Sequence, residues 1–195
     1  MDEIERRYTV VSLLTVEERG EAKKPIIRGH AAVFNQLSED LGGFREQIAA
    51  GAFAEAIQKD DVRALLNHDP NFVLGRSGAG TLRMTEDAHG LAVEIDPPDT
   101  QAARDLLVSM KRGDITQMSF GFSVRPNGQN WAKDDAGQYV RTLTRVRLFD
   151  VSPVTYPAYP QTDVAVRSLT EVRQAEVPPV AWRAALRRRE LTLTD

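Results

Sequence analysis

Ser119, His68 and Asp150 are the residues of this chain whose types and settings suit nucleophilic chemistry. Ser119 lies in a run, 115–124, where large apolar residues alternate with small or polar ones, as in a half-buried strand. Met118, Phe120, Phe122 and Val124 fall on one face, and Gln117, Ser119, Gly121 and Ser123 on the other. A serine on a small-residue face has room beside it for a substrate backbone or an imidazole. Such a face equally serves to let two layers pack closely. His68 follows the apolar run 62–66 and precedes Asp69 and Pro70, which reads as a strand end or the loop after it. There it can act as a general base, or sit at the surface hydrogen-bonded by Asp69. The other two histidines fit blander roles: His30 opens the apolar run 31–34 as a strand-start residue, and His89 precedes Gly90 in a turn signature.

Asp150 ends the segment 145–151, where period two puts it on the face of Val146 and Leu148, with the arginines and Phe149 opposite. An acid on an apolar face needs a donor, because an isolated buried charge is heavily penalised. An imidazole N–H from His68 would serve, and the carboxylate would hold the ring in the tautomer that leaves its other nitrogen basic. Arg145, Arg147 or a backbone amide would serve as well. Three scattered histidines without a His-x-x-x-His pair argue against a metallohydrolase, and neither metal nor cofactor is expected.

The elements that must position these groups are mostly strands. Residues 8–14, 26–34, 65–68, 82–85, 91–95, 115–125, 138–144 and 145–151 read as strands, and 53–58 as a short helix. Asp99 or Thr100 can cap a helix ending at Gly113. Along it Ala103, Leu106, Leu107 and Met110 form a stripe that must pack on something, for which the barrel is the plain choice. Asn127-Gly128 and 135–137 mark turns. Near Glu171 the character changes: 174–179 reads as a linker, and 181–190 as a short basic amphipathic helix, a solvated tail or a docking segment.

Composition bounds the answer without giving it. A chain of 195 residues with 42% hydrophobic and 27% charged residues makes one soluble globular domain with a tail. A net charge of −3 gives no reason to expect nucleic-acid binding. Zero cysteines exclude disulfides and a thiol nucleophile. The charged start suggests no signal peptide, and no apolar run is long enough to span a membrane.

An ordered set of segments carries more than any one motif: 29–35, 44–48 leading into 51–53, Leu66-Asn67-His68-Asp69, 74–78, Gly90-Leu91, 112–115, 118–122, 150–155 and 156–159. Residues from about 8 to 167 resemble the tailed-phage (caudoviral) prohead maturation serine protease family, related to herpesvirus assemblin. The resemblance implies an α+β fold, a mainly antiparallel β-barrel with peripheral helices, with the protease domain at 1–170 and a linker and basic tail at 171–195. It implies His68 as catalytic base and Ser119 as nucleophile. For the third member, assemblin relatives use a histidine and the phage branch an acid; Asp150 occupies the matching strand. Pro153 and Pro157 lack N–H groups, whereas Val154, Thr155 and Tyr156 retain theirs and are candidate oxyanion donors, with the 75–80 loop as the competing source. The implied substrate is the scaffold, or a scaffold-like segment of the major capsid protein, and the protease itself. A homodimer contact, no nucleic-acid or membrane partner, and work in the bacterial host cytoplasm inside the assembling procapsid complete the expectation. The competing expectation is a non-catalytic capsid-assembly module on the same fold.

Overall fold

The computed structural model describes residues 4–9, 14–20, 24–156 and 163–176. In chain order the elements are β1 Glu5–Thr9, β2 Thr15–Arg19, β3 Lys24–Val33, β4 Phe44–Ile48, α1 Ala54–Lys59, β5 Arg63–Leu66, β6 Asp69–Arg76, β7 Leu82–Glu86, β8 Gly90–Ile95, α2 Gln101–Arg112, β9 Gln117–Val124, β10 Gln129–Lys133, β11 Tyr139–Leu143, β12 Val146–Val154 and α3 Asp163–Glu176. They make three sheets, in strand orders β1-β9-β12-β5-β6, β2-β3-β8-β7 and β10-β11-β4.

These sheets correct the expected barrel. No hydrogen-bonded ladder among the described residues joins one sheet to the next, and the outer strands of the five-stranded sheet, β1 and β6, do not pair. Closure requires every strand to have two neighbours. Two of the three sheets are also mixed: β12 runs parallel to β5, and β11 parallel to β4, while the β2-β3-β8-β7 sheet is antiparallel throughout. The molecule is an α+β fold of open sheets with peripheral helices.

The apolar face of β9 builds the core. Met118, Phe120 and Phe122 are buried with Val151 of β12, with Ile27 and Ala31 of β3, and with Val93 of β8. Phe53, just before α1, stands edge-on to Phe120 at 5.6 Å between ring centroids. α2 starts where Thr100 Oγ1 accepts from the Ala103 amide, and stops at Gly113, whose φ of 85° suits a residue without Cβ. Its stripe is consumed within the chain, since Ala103, Leu106 and Met110 join the main core.

Several segments differ from expectation. The expected strand at 65–68 is a hairpin, with Asn67 and His68 forming the turn between β5 and β6. β2, β4, β6, β10 and α3 were not foreseen. α3 runs through Glu171 to Glu176, so residues 174–176 are its last turn rather than linker. The expected tail helix at 181–190 lies outside the described residues.

Candidate active site

Ser119 sits mid-strand in β9, flanked by Tyr8 of β1 on one side and Ser152 of β12 on the other. It is fully buried. The strand register explains how Asp150 reaches it. Leu148 stands opposite Phe122, but Asp150 stands opposite Gly121, so one extra residue, Phe149, is inserted between them. Residues 121 and 122 point to opposite faces, and so do 148 and 150. This bulge overturns the period-two placement of Asp150 on the Val146 and Leu148 face. It rotates Asp150, and Ser152 after it, onto the face of Ser119 and Gly121. Without it the carboxylate would point into the apolar core.

Gly121 provides the seat. A Cβ built there would fall 2.3 Å from Asp150 Oδ2, far inside van der Waals contact. The small-residue face of β9 is therefore small, at this position, to hold a carboxylate.

His68 arrives from the β5–β6 turn. Asn67 and His68 have φ of 54° and 59°. Two successive left-handed residues are the signature of the two-residue hairpin turn that matches strand twist, and asparagine and histidine tolerate that region better than most. The turn is tied to the end of β12. The Asn67 amide donates to Pro153 O at 3.0 Å. Asn67 Oδ1 accepts from the Thr155 amide at 2.8 Å, and its Nδ2 donates to Thr155 Oγ1 at 3.2 Å. Held this way, the largely buried ring spans the two other groups. His68 Nδ1 lies 2.5 Å from Asp150 Oδ1, and Nε2 lies 2.7 Å from Ser119 Oγ. A carboxylate only accepts, so Nδ1 carries the proton and Nε2 of the neutral ring is left as an acceptor facing the hydroxyl. Ser119 Oγ has a second acceptor in reach, the Arg7 carbonyl of β1 at 2.8 Å. The alternative partners of Asp150 are engaged elsewhere: Arg145 with Glu55, and Arg147 over the Phe149 ring.

The structure keeps the other histidines away from this cluster. His30 lies inside β3 rather than at its start, and its Nε2 pairs with Asp87 at 2.7 Å. That bond holds the Asp87 carboxyl down at about 2. His89 stands in the exposed turn before β8. Thr155 spends its amide on Asn67, Val154 lies in β12 opposite Gln117, and Tyr156 follows as a highly exposed residue. In the 75–80 loop the Arg76, Ser77 and Gly80 amides bond to Thr81 Oγ1, Val62 O and Ser77 O. Cavities of about 560 and 550 Å³ open elsewhere, one beside Arg141 and α3, the other on β3 and β8.

Sequence reasoning missed Asn67 and Ser152. Asn67 carried a signal, an asparagine at the first position of a tight turn between two strands. Ser152 Oγ donates to Asp150 Oδ1 at 2.7 Å, and its spacing of two residues after the acid was the available clue.

A buried serine, an imidazole on its hydroxyl and a carboxylate behind the ring are the groups a serine peptidase needs. Residues 12–176 match the family model described as Caudovirus prohead serine protease, and the chain belongs to that family. Over 155 residues it is 31% identical to the prohead protease of Enterobacteria phage HK97, covering 75% of this chain and 61% of that protein. The chain thus spans about three-fifths of that relative's length. Among solved structures, the bacteriophage T4 capsid assembly protease, gp21, superposes with a TM-score of 0.52 at 11% identity, over 78% of this chain and 99% of that one. That likeness is one of fold.

Proposed function

We propose that this chain is a serine endopeptidase that cleaves the scaffold, or a scaffold-like segment of the major capsid protein, and itself during phage capsid maturation. Its place of work is the assembling procapsid in the bacterial host cytoplasm. The observation that carries the reading is the line of contacts from Ser119 Oγ through His68 to buried Asp150. Family membership supplies the substrate class.

In this reading the Ser119 hydroxyl turns from the Arg7 carbonyl to His68 Nε2 and gives up its proton as Oγ attacks the peptide carbonyl. Asp150 stabilises the imidazolium through Nδ1–H without taking the proton. Collapse of the tetrahedral intermediate breaks the C–N bond, and Nε2–H protonates the leaving amine. Water, deprotonated by the same nitrogen, then hydrolyses the acyl-enzyme and regenerates the hydroxyl. The oxyanion requires preorganised donors. Val154, Thr155 and Tyr156 remain our candidates, of which Thr155 has its amide on Asn67 Oδ1.

Purified scaffold incubated with wild-type protein should be cut, and the Ser119→Ala protein should leave it intact. Loss of one hydroxyl removes its bond to the Arg7 carbonyl but no strand pairing, so the Ser119→Ala protein should still fold and melt cooperatively. Cleavage by Ser119→Ala would remove Ser119 from the role. Intact scaffold with both would favour a non-catalytic assembly module on this fold.

A further inference from the structure

We propose that Ser152 is a positioning residue for this site, holding the Asp150 carboxylate in the plane that His68 requires. The inference rests on the peptidase reading above and extends it to a fourth side chain. Ser152 is fully buried and stands directly opposite Ser119 in the β12–β9 ladder. Its Oγ donates at 2.7 Å to Asp150 Oδ1, the oxygen that also faces His68 Nδ1. The other carboxylate oxygen lies over Gly121, where there is no side chain to bond it. The terminal torsion of an aspartate is soft, and one bond to a ring leaves the carboxylate free to swing. A second donor, two residues along the same strand, fixes it. The bulge that turns Asp150 onto this face turns Ser152 with it, so donor and acceptor are set by one backbone feature.

A plain packing role needs only a small residue at 152, and alanine satisfies that as well as serine. Ser152→Ala therefore separates packing from bonding. In the full chain we expect kcat for scaffold cleavage to fall roughly ten- to a hundredfold, the effect of losing a hydrogen bond to a charged group, with KM unchanged. A second readout needs no turnover. In the Ser119→Ala protein, which does not consume itself, the His68 Nδ1 proton should give a low-field resonance in the NMR spectrum. Adding Ser152→Ala should shift or broaden it, whereas adding Ser123→Ala, which faces Arg147 in the ladder, should not. An unmoved resonance, or an unchanged kcat in an active enzyme, overturns the proposal. A resonance that moves in a protein that never cleaves scaffold leaves the bond standing and removes the peptidase reading instead.

Discussion

A methyl group at position 121 has no space to occupy. The added Cβ would meet Asp150 Oδ2 at 2.3 Å, and on this buried face the carboxylate must move away. Displacing an orienting group by about an ångström costs catalysis on the order of a hundredfold. Gly121→Ala should therefore fold and lose activity to that extent; near-wild-type turnover would mean that the carboxylate does not need this seat. His68→Ala tests the group in the middle. A positioned base contributes on the order of 10²–10⁴ in rate, and groups that act as a unit lose activity once rather than twice. We expect the Ser119→Ala/His68→Ala double variant to be little worse than either single variant in a scaffold-cleavage time course. Multiplying losses would show that the two act separately. At this scale the sequence was informative about type. An alternating strand marked Ser119, an abrupt polar stop marked His68, and an acid among apolar neighbours marked Asp150. It gave Gly121 as a small residue but not as a seat, because that role depends on a side chain from another strand.

Two backbone irregularities bring these residues together, and neither is written in a periodic pattern. The first is the bulge at Phe149, which moves Asp150 and Ser152 from the core face to the Ser119 face. Strict alternation through 145–151 predicts the wrong face, because a bulge is set by pairing with β9 rather than by local sequence. The second is the left-handed Asn67–His68 turn, hidden when 65–68 is read as strand alone. Short polar runs obscured other elements too. β4 carries Arg45, Glu46 and Gln47 in five residues, yet Phe44, Glu46 and Ile48 all point inward. Asn67→Gly isolates the turn's contribution. Glycine keeps the left-handed backbone and the amide bond to Pro153 O, but removes both side-chain bonds to Thr155. The hairpin should survive with a small fall in melting temperature, while kcat drops several-fold as the ring loosens. If Asn67→Gly loses melting temperature and keeps kcat, the clamp stabilises the hairpin without orienting His68.

The whole molecule is held as open sheets, and a buried charge cluster fastens two of them. Glu5 and Arg7 of β1 meet Glu46 of β4 and Arg141 of β11, all with little or no exposure. Arg141 Nη1 reaches Glu5 at 2.8 Å and Glu46 at 2.9 Å, and Arg7 reaches Glu46 at 2.7 Å and Glu5 at 2.8 Å. Two acids and two guanidinium groups balance, which is how buried charges are tolerated. In sequence these four are spread over 137 positions, from Glu5 to Arg141, and the expected strand at 8–14 begins after Glu5 and Arg7. Nothing in a linear pattern pairs them, so the link between sheets was illegible, as was the absence of closure. The cluster makes stability depend on pH. Burial works to raise the Glu5 carboxyl, but bonds and charge from Arg141 and then Arg7 outweigh it and hold it below its ordinary value of 4.5. A carboxyl lowered in the folded state contributes stability that is present above 4.5 and is lost as pH falls through the lower folded value. Arg141→Met leaves Glu5 buried with one guanidinium instead of two, and breaking such a buried pair costs about 3–5 kcal/mol at neutral pH. Measured by denaturant unfolding in the Ser119→Ala background, this gap should narrow as pH drops below 4.5, because a protonated Glu5 no longer needs the missing partner. A gap that stays constant from neutral to acid would show that Arg141 contributes through packing against Trp131, over whose ring it also lies, rather than through the charge cluster.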